Sequence, residues 1–260
     1  MRPADDGVTV LAAVSEELAA LGPFFAVEVH GAGRENGAGA DQENSAGSGR
    51  ENGAGASWRP MSELVDGSGV LDERVEAVRS FLATGTGREA SAVELRVAAS
   101  VVHLGLMARV LSPLLALAVL HQRRGDIRAA DLWWQPTLGS MFPLSVREVA
   151  LGSGPVFAGS VIDEFSTAIA RFGVNQHILR GNVASALAAA ARTLAGARPD
   201  LRNDVHALIG THLAGSGSFG PDGTTFRRRT CCLIYRAAPD RKGALCGDCA
   251  LAPDHGPMDV

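Results

Sequence analysis

The chain has no cysteine before position 231, one lysine (Lys242) and one tyrosine (Tyr235) in 260 residues. The first absence excludes a disulfide framework for the fold, since Cys231, Cys232, Cys246 and Cys249 all fall near the C-terminal end. A basic excess is also lacking. The net charge of -4 excludes the electrostatic footprint of a general nucleic-acid binder, so no nucleic-acid partner is expected. One lysine against twenty-three arginines, with abundant Ala and Gly, reads as a GC-rich coding background and says nothing about function. The opening Met1-Arg2-Pro3-Ala4-Asp5-Asp6 lacks the basic and then apolar profile of a secretory signal, and the first apolar run, residues 8–21, contains Glu16 and Glu17. The expected location is the cytoplasm, where thiols stay reduced.

Large apolar residues are missing from one internal stretch. Between positions 31 and 57 the octet Gly33-Arg34-Glu35-Asn36-Gly37-Ala38-Gly39-Ala40 recurs sixteen residues later, beginning at Gly49. A segment with so little to bury cannot offset its ordering entropy, and two polar copies do not make a solenoid. The expected organisation is therefore a helix and strand in 1–30, a disordered insertion in 31–57, a helical main domain in 58–225 and a cysteine-bearing segment in 226–251.

The rest of the chain reads mostly as helix. Residues 8–21 form a short amphipathic helix. Leu71, Val75, Val78 and Leu82 share helical spacing, as do Phe157, Val161, Phe165, Ile169 and Phe172, and again Leu179, Val183, Leu187, Ala190 and Leu194. Residues 24–30 alternate and include the β-branched Val27 and Val29, which predicts a strand, and residues 127–143, broken by Trp133-Trp134, Pro136, Gly139 and Pro143, predict short strands or a hairpin. The fold class expected is α+β, mostly helical, with a small antiparallel sheet and a cysteine-rich loop docked on the helical body. The longest apolar run, residues 97–120, is long enough to span a membrane. It carries His103 and Arg109, and a central arginine costs about 2.5 to 3.5 kcal/mol on insertion. A buried helix of a soluble domain is the better reading, with no transmembrane span.

Four thiols in the order Cys231-Cys232, then Cys246-Gly247-Asp248-Cys249, match the ligand count of a four-thiolate metal site. Adjacent cysteines point in diverging directions, which is awkward around one tetrahedral zinc and easier around the two irons of a [2Fe-2S] cluster. Zinc ribbons generally use two C-x-x-C knuckles, and only the second pair has that form. From position 226 to 242, Arg227, Arg228, Arg229, Arg236, Arg241 and Lys242 face Asp240 alone, so this segment is +5 in a chain that is otherwise -9. Basic neighbours favour thiolates and stabilise an anionic cluster, more so once it is reduced.

With its flanking Arg-Arg-Arg-Thr-Cys-Cys-Leu and Leu-Cys-Gly-Asp-Cys, this motif resembles the FhuF-type ferric siderophore reductases, in particular actinobacterial members. Residues 93–100, 108–113 and 181–186 also look like that group. The family pattern has about ten residues between Cys-Cys and Cys-x-x-Cys; here thirteen intervene, and residues 237–242 look like the added part. The resemblance implies a cytoplasmic [2Fe-2S] oxidoreductase in iron acquisition, with Cys231, Cys232, Cys246 and Cys249 as cluster ligands. It would reduce Fe(III) in an imported siderophore complex by one electron and release Fe(II).

The implied partners are a ferric siderophore, an external electron donor (reduced ferredoxin, a flavoprotein or an NAD(P)H-dependent reductase) and peripheral contact with a siderophore importer. No acid, base or nucleophile beyond the cluster is required. Candidate substrate-binding residues are Arg109, Asn182, Arg228, Arg229, Tyr235 and Arg236, with Trp133 and Trp134 as an apolar wall; His103 reads as a satisfied core histidine. Two other readings stand beside this one. One is a siderophore- or partner-binding protein with a structural four-cysteine zinc site. The other is a thiol redox protein using Cys246 and Cys249, although no thioredoxin-like βαβ unit precedes that pair.

Overall fold

In this computed structural model the described residues are 7–30, 57–123, 125–147, 160–240 and 242–252. The repeat-bearing insertion lies almost wholly outside them, as do Phe157 and Arg241. The described residues form an α+β fold whose helices are α1 (Gly7–Ala20), α2 (Val70–Thr84), α3 (Leu95–Leu120), α4 (Ser160–Ala170), α5 (Gln176–Ala197) and α6 (Arg202–Leu213). Helix α3 is apolar on nearly every side, as a helix at the centre of a domain should be. It packs against α5, α2 and α4. By length and composition it could cross a membrane, yet 78% of its most apolar stretch is buried inside the domain.

The helical spacing read from sequence becomes packing. Leu71, Val75 and Val78 on α2, Val161, Phe165 and Ile169 on α4, and Leu179, Val183, Leu187, Ala190 and Leu194 on α5 are all in the core. Helix α5 starts where the Asn175 side chain accepts a hydrogen bond from the Ile178 N–H at 3.0 Å, satisfying one unpaired donor of the first turn. Its many buried alanines bring its backbone close to α3, which makes polar contacts between the two helices short.

The sheet is smaller than the strand pattern predicts, and it is mixed. Strands β1 (Glu28–His30), β4 (Leu144–Arg147), β3 (Leu132–Trp134) and β2 (Arg59–Pro60) lie in that order, with β1 and β4 parallel and the other pairs antiparallel. A parallel pair needs a long crossover, and the chain between β1 and β4 includes α2 and α3. Arg109 on α3 secures both of these strands. The residue is 3% exposed, and its guanidinium donates to the carbonyls of Phe142 (2.8 Å), Phe24 (3.1 Å) and Ala26 in the chain just before them. Burial pulls its pKa down to about 10.

A second sheet connects the cysteine segment to the body. Strand β5 (Gly217–Phe219) pairs with β6 (Phe226–Arg228), and the hairpin crosses the predicted boundary between 225 and 226. Helix α5 approaches the chain after β6 closely at Gly181. A Cβ built there would lie 2.1 Å from Thr230 Oγ1 and 2.8 Å from Arg228 Nη2, whereas one at Gly210 on α6 would meet nothing. Gly181→Ala should therefore cost about 1–3 kcal/mol through overpacking, while Gly210→Ala should be neutral or stabilise by up to ~1 kcal/mol. Denaturant unfolding of the two variants checks the opposite signs.

Candidate metal centre

Strand β6 leads into Cys231-Cys232, and a reversal at Leu233 follows. Leu233 has φ 71°, a left-handed conformation that costs roughly 1–2 kcal/mol for a branched side chain. In that turn the Leu233 N–H donates to Cys231 Sγ at 3.2 Å. At the other pair, Cys249 N–H donates to the Cys246 carbonyl (3.1 Å) and Leu251 N–H to Cys249 Sγ (3.3 Å). Backbone donors aimed at sulfur favour thiolate and are what a thiolate-bound metal uses as outer support.

The two halves meet. Cys232 Sγ and Cys246 Sγ are 3.5 Å apart, and Arg228 N–H donates to the Asp248 carbonyl at 3.1 Å. Cys232 and Cys249 are buried, while Cys231 and Cys246 are partly exposed. The Cys232–Cys246 contact draws Cys232 toward thiolate and holds Cys246 as thiol. Burial pushes the Cys231 thiol up. Among the described residues no three His, Cys, Asp or Glu side chains converge on one ion centre. Cys232 and Cys246 are the two sulfurs in direct contact among the described residues.

A buried polar chain ties this segment to the helical core. The Asn182 amide on α5 donates to the Ser100 carbonyl (3.1 Å) and Ser100 Oγ (3.2 Å), and sits 3.4 Å from His103 Nδ1, all on α3. Its Oδ1 accepts from Arg228 Nη2 at 2.7 Å. Ser100 Oγ donates onward to the Cys232 carbonyl at 2.8 Å, and Thr230 Oγ1 to the His177 carbonyl at 3.0 Å. Further along, Arg236 pairs with Glu94 at 2.6 Å, Arg88 donates to the Ala237 carbonyl, and Ala237 packs on Ala83, Val93 and Val97.

The candidate substrate-binding residues therefore occupy different environments. Asn182 and Arg228 meet in the buried chain, Arg109 lies among three carbonyls, and Arg236 is ion-paired. Arg229 is exposed and Tyr235 half-buried. Trp134 is in the sheet core, and Trp133 stacks on His30 with centroids 3.6 Å apart. Neither tryptophan lines the groove of about 410 Å³ beside Cys246. That groove runs between α3 and α5, with Gly105, Ala108, Ala189 and Arg192 on one side and Cys246, Gly247 and Asp248 on the other. The sequence reading missed the positioning role of Ser100 and Gly181 and the groove residues Ala189 and Arg192. The adjacent Gly181 and Asn182 on a largely apolar helix were the available signal for Gly181.

The donor set fits a [2Fe-2S] group. Four sulfurs come from one short segment, backbone N–H groups already point at two of them, and a buried cation stands beside the pair. Arg228 is 1% exposed, and its Nε and Nη1 have no partner among the described residues.

His103 is neutral in this chain. Burial, with the Arg228 charge beside it, takes its pKa from 6.5 down to about 3. The unfolded chain thus binds a proton below pH 6.5 that the folded chain refuses until about pH 3, so stability falls as pH falls through that window. His103→Gln should flatten the slope of unfolding free energy between pH 6 and pH 5 by about 1.4 kcal/mol per pH unit, measured by denaturant unfolding.

Residues 228–251 match the family model described as FhuF 2Fe-2S C-terminal domain, a span that contains all four cysteines. No curated protein and no solved structure matches the chain. The C-terminal segment of this chain is thus similar to a FhuF-type 2Fe-2S domain, and the cofactor this match supports is a [2Fe-2S] cluster.

Proposed function

We propose that the protein is a cytoplasmic ferric siderophore reductase in which Cys231, Cys232, Cys246 and Cys249 hold the cluster and the groove beside Cys246 receives the ferric chelate. The observation that carries this reading is the groove itself. It is a concave surface between two rigid helices, and one wall is a cysteine of the 2Fe-2S domain. A chelate seated there would stand beside a proposed ligand of the metal centre.

The bound cluster supplies a one-electron couple at this edge of the domain. Fe(III) held by hydroxamate or catecholate oxygens takes one electron and leaves as Fe(II), which those hard oxygen ligands hold far more weakly. An external donor, a reduced ferredoxin, a flavoprotein or an NAD(P)H-dependent reductase, restores that electron. Docking on the cytoplasmic side of a siderophore importer would supply the substrate. The protein's own contribution is position. Gly105, Ala108 and Ala189 leave room between α3 and α5, Arg192 offers a cation at the rim, and Asp248 offers a carboxylate. The turn that carries Cys231 and Cys232 is fastened to the same two helices through Asn182 and Ser100, and Arg228 links it to Asp248 beside the second pair, so cluster and groove would keep a constant separation.

Cys232→Ser should lose more than nine-tenths of the iron and acid-labile sulfide bound per chain. Undiminished iron in that variant, or zinc at one per chain in anaerobically purified wild type, would overturn the ligation. Ala189→Trp should fill the groove and raise KM for the ferric chelate several-fold, with the visible and electron paramagnetic resonance spectra of the cluster unchanged. An unaltered KM would move the substrate elsewhere.

A further inference from the structure

Of the five described basic residues around the cysteines, one differs from the others in kind. Arg227 reaches out to the carbonyls of Ala250 and Ala252, Arg236 is paired with Glu94, Arg229 and Lys242 are exposed to solvent, and Arg241 lies outside the described residues. Charges at the surface are screened by water and salt. Arg228 is not. It is 1% exposed, no carboxylate pairs with it among the described residues, and Asn182 Oδ1 is the one acceptor its side chain meets. The remaining donors, Nε and Nη1, are buried without partners. An isolated buried cation is strongly unfavourable, and neutral His103 beside it offsets none of that.

We infer that the counter-charge of Arg228 is the [2Fe-2S] cluster, and that this guanidinium is the residue that sets the cluster's reduction potential. The inference rests on the reading that the four cysteines are the ligands. Arg228 is three residues before Cys231, and its backbone N–H donates at 3.1 Å to the carbonyl of Asp248, which lies between Cys246 and Cys249. Four thiolates, two ferric ions and two sulfides carry a net charge of about -2, which becomes about -3 when one electron is added. A fixed cation in a dry environment stabilises the second state more than the first, and N–H donors near sulfur act in the same direction. Asn182 holds the guanidinium in place and is itself held by Ser100, whose hydroxyl bonds the Cys232 carbonyl. One buried chain therefore positions both the cation and the turn that carries two of the sulfurs.

The test compares holoprotein of wild type, Arg228→Gln and Arg228→Lys. Iron and sulfide per chain are measured first, then the midpoint of a redox titration with dithionite as the electron source, followed by electron paramagnetic resonance. Arg228→Gln should shift the equilibrium toward the oxidised cluster at least tenfold, which for one electron is a potential lower by about 59 mV. Arg228→Lys, which keeps the charge, should recover more than half of that shift. Loading of Arg228→Lys near the wild-type potential while Arg228→Gln loads nothing also sustains the inference, since charge is then required.

Three results overturn it. They are a fully loaded Arg228→Gln at the wild-type potential, equal shifts in the two variants, and loss of the cluster in both. Wild type without iron and sulfide would instead refute the ligation reading, before any Arg228 variant is compared.

Discussion

The contact on which the rest of the cysteine segment depends is the hydrogen bond between Asn182 and Arg228, 2.7 Å long and out of reach of water. An asparagine amide in an apolar helix interface is costly unless its donors and acceptor are all used. Here Ser100 and His103 take the donor side and Arg228 the acceptor side. Removing any member leaves another buried and unsatisfied, at about 1–3 kcal/mol each. The chain of contacts therefore specifies one docked position for the segment where a purely hydrophobic patch would tolerate several.

That arrangement explains why the segment is built on α3 and α5. These helices pack against each other, α5 burying many alanines, and Asn182 on one reaches Ser100 and His103 on the other. Gly181, next in sequence, removes the Cβ that would otherwise collide with Thr230 and Arg228. The same small residues leave the groove beside Cys246 open. Support for the sulfurs and space for a ligand thus come from one feature of composition.

Much of the site was legible in the residues. The order Cys-Cys before Cys-x-x-Cys carries the cluster type, because it is a local pattern whose ligand count and direction follow from chain geometry. The helical stripes at Leu71 to Val78 and Leu179 to Leu194 were equally readable from a period of 3.6. The basic residues were not. As a sequence they form a uniform +5 patch, and their separate environments arise from contacts outside the local pattern, such as Asn182 for Arg228 and Glu94 for Arg236. The parallel pairing of β1 with β4 was hidden for the same reason, since strand alternation marks a strand and says nothing about its neighbour's direction.

The sequence by itself determined the local chemistry: four sulfurs in one segment, apolar helices around it, and no basic excess overall. Those properties depend on residue identity and short-range spacing, which the chain carries before it folds. Only the tertiary structure decided which arginine is buried without a carboxylate, which ones are neutralised, and that the concave space between α3 and α5 opens at Cys246 and away from the tryptophans. Burial and proximity are set by packing between distant segments, and they govern how strongly a charge acts, because the same guanidinium is screened at the surface and unscreened inside.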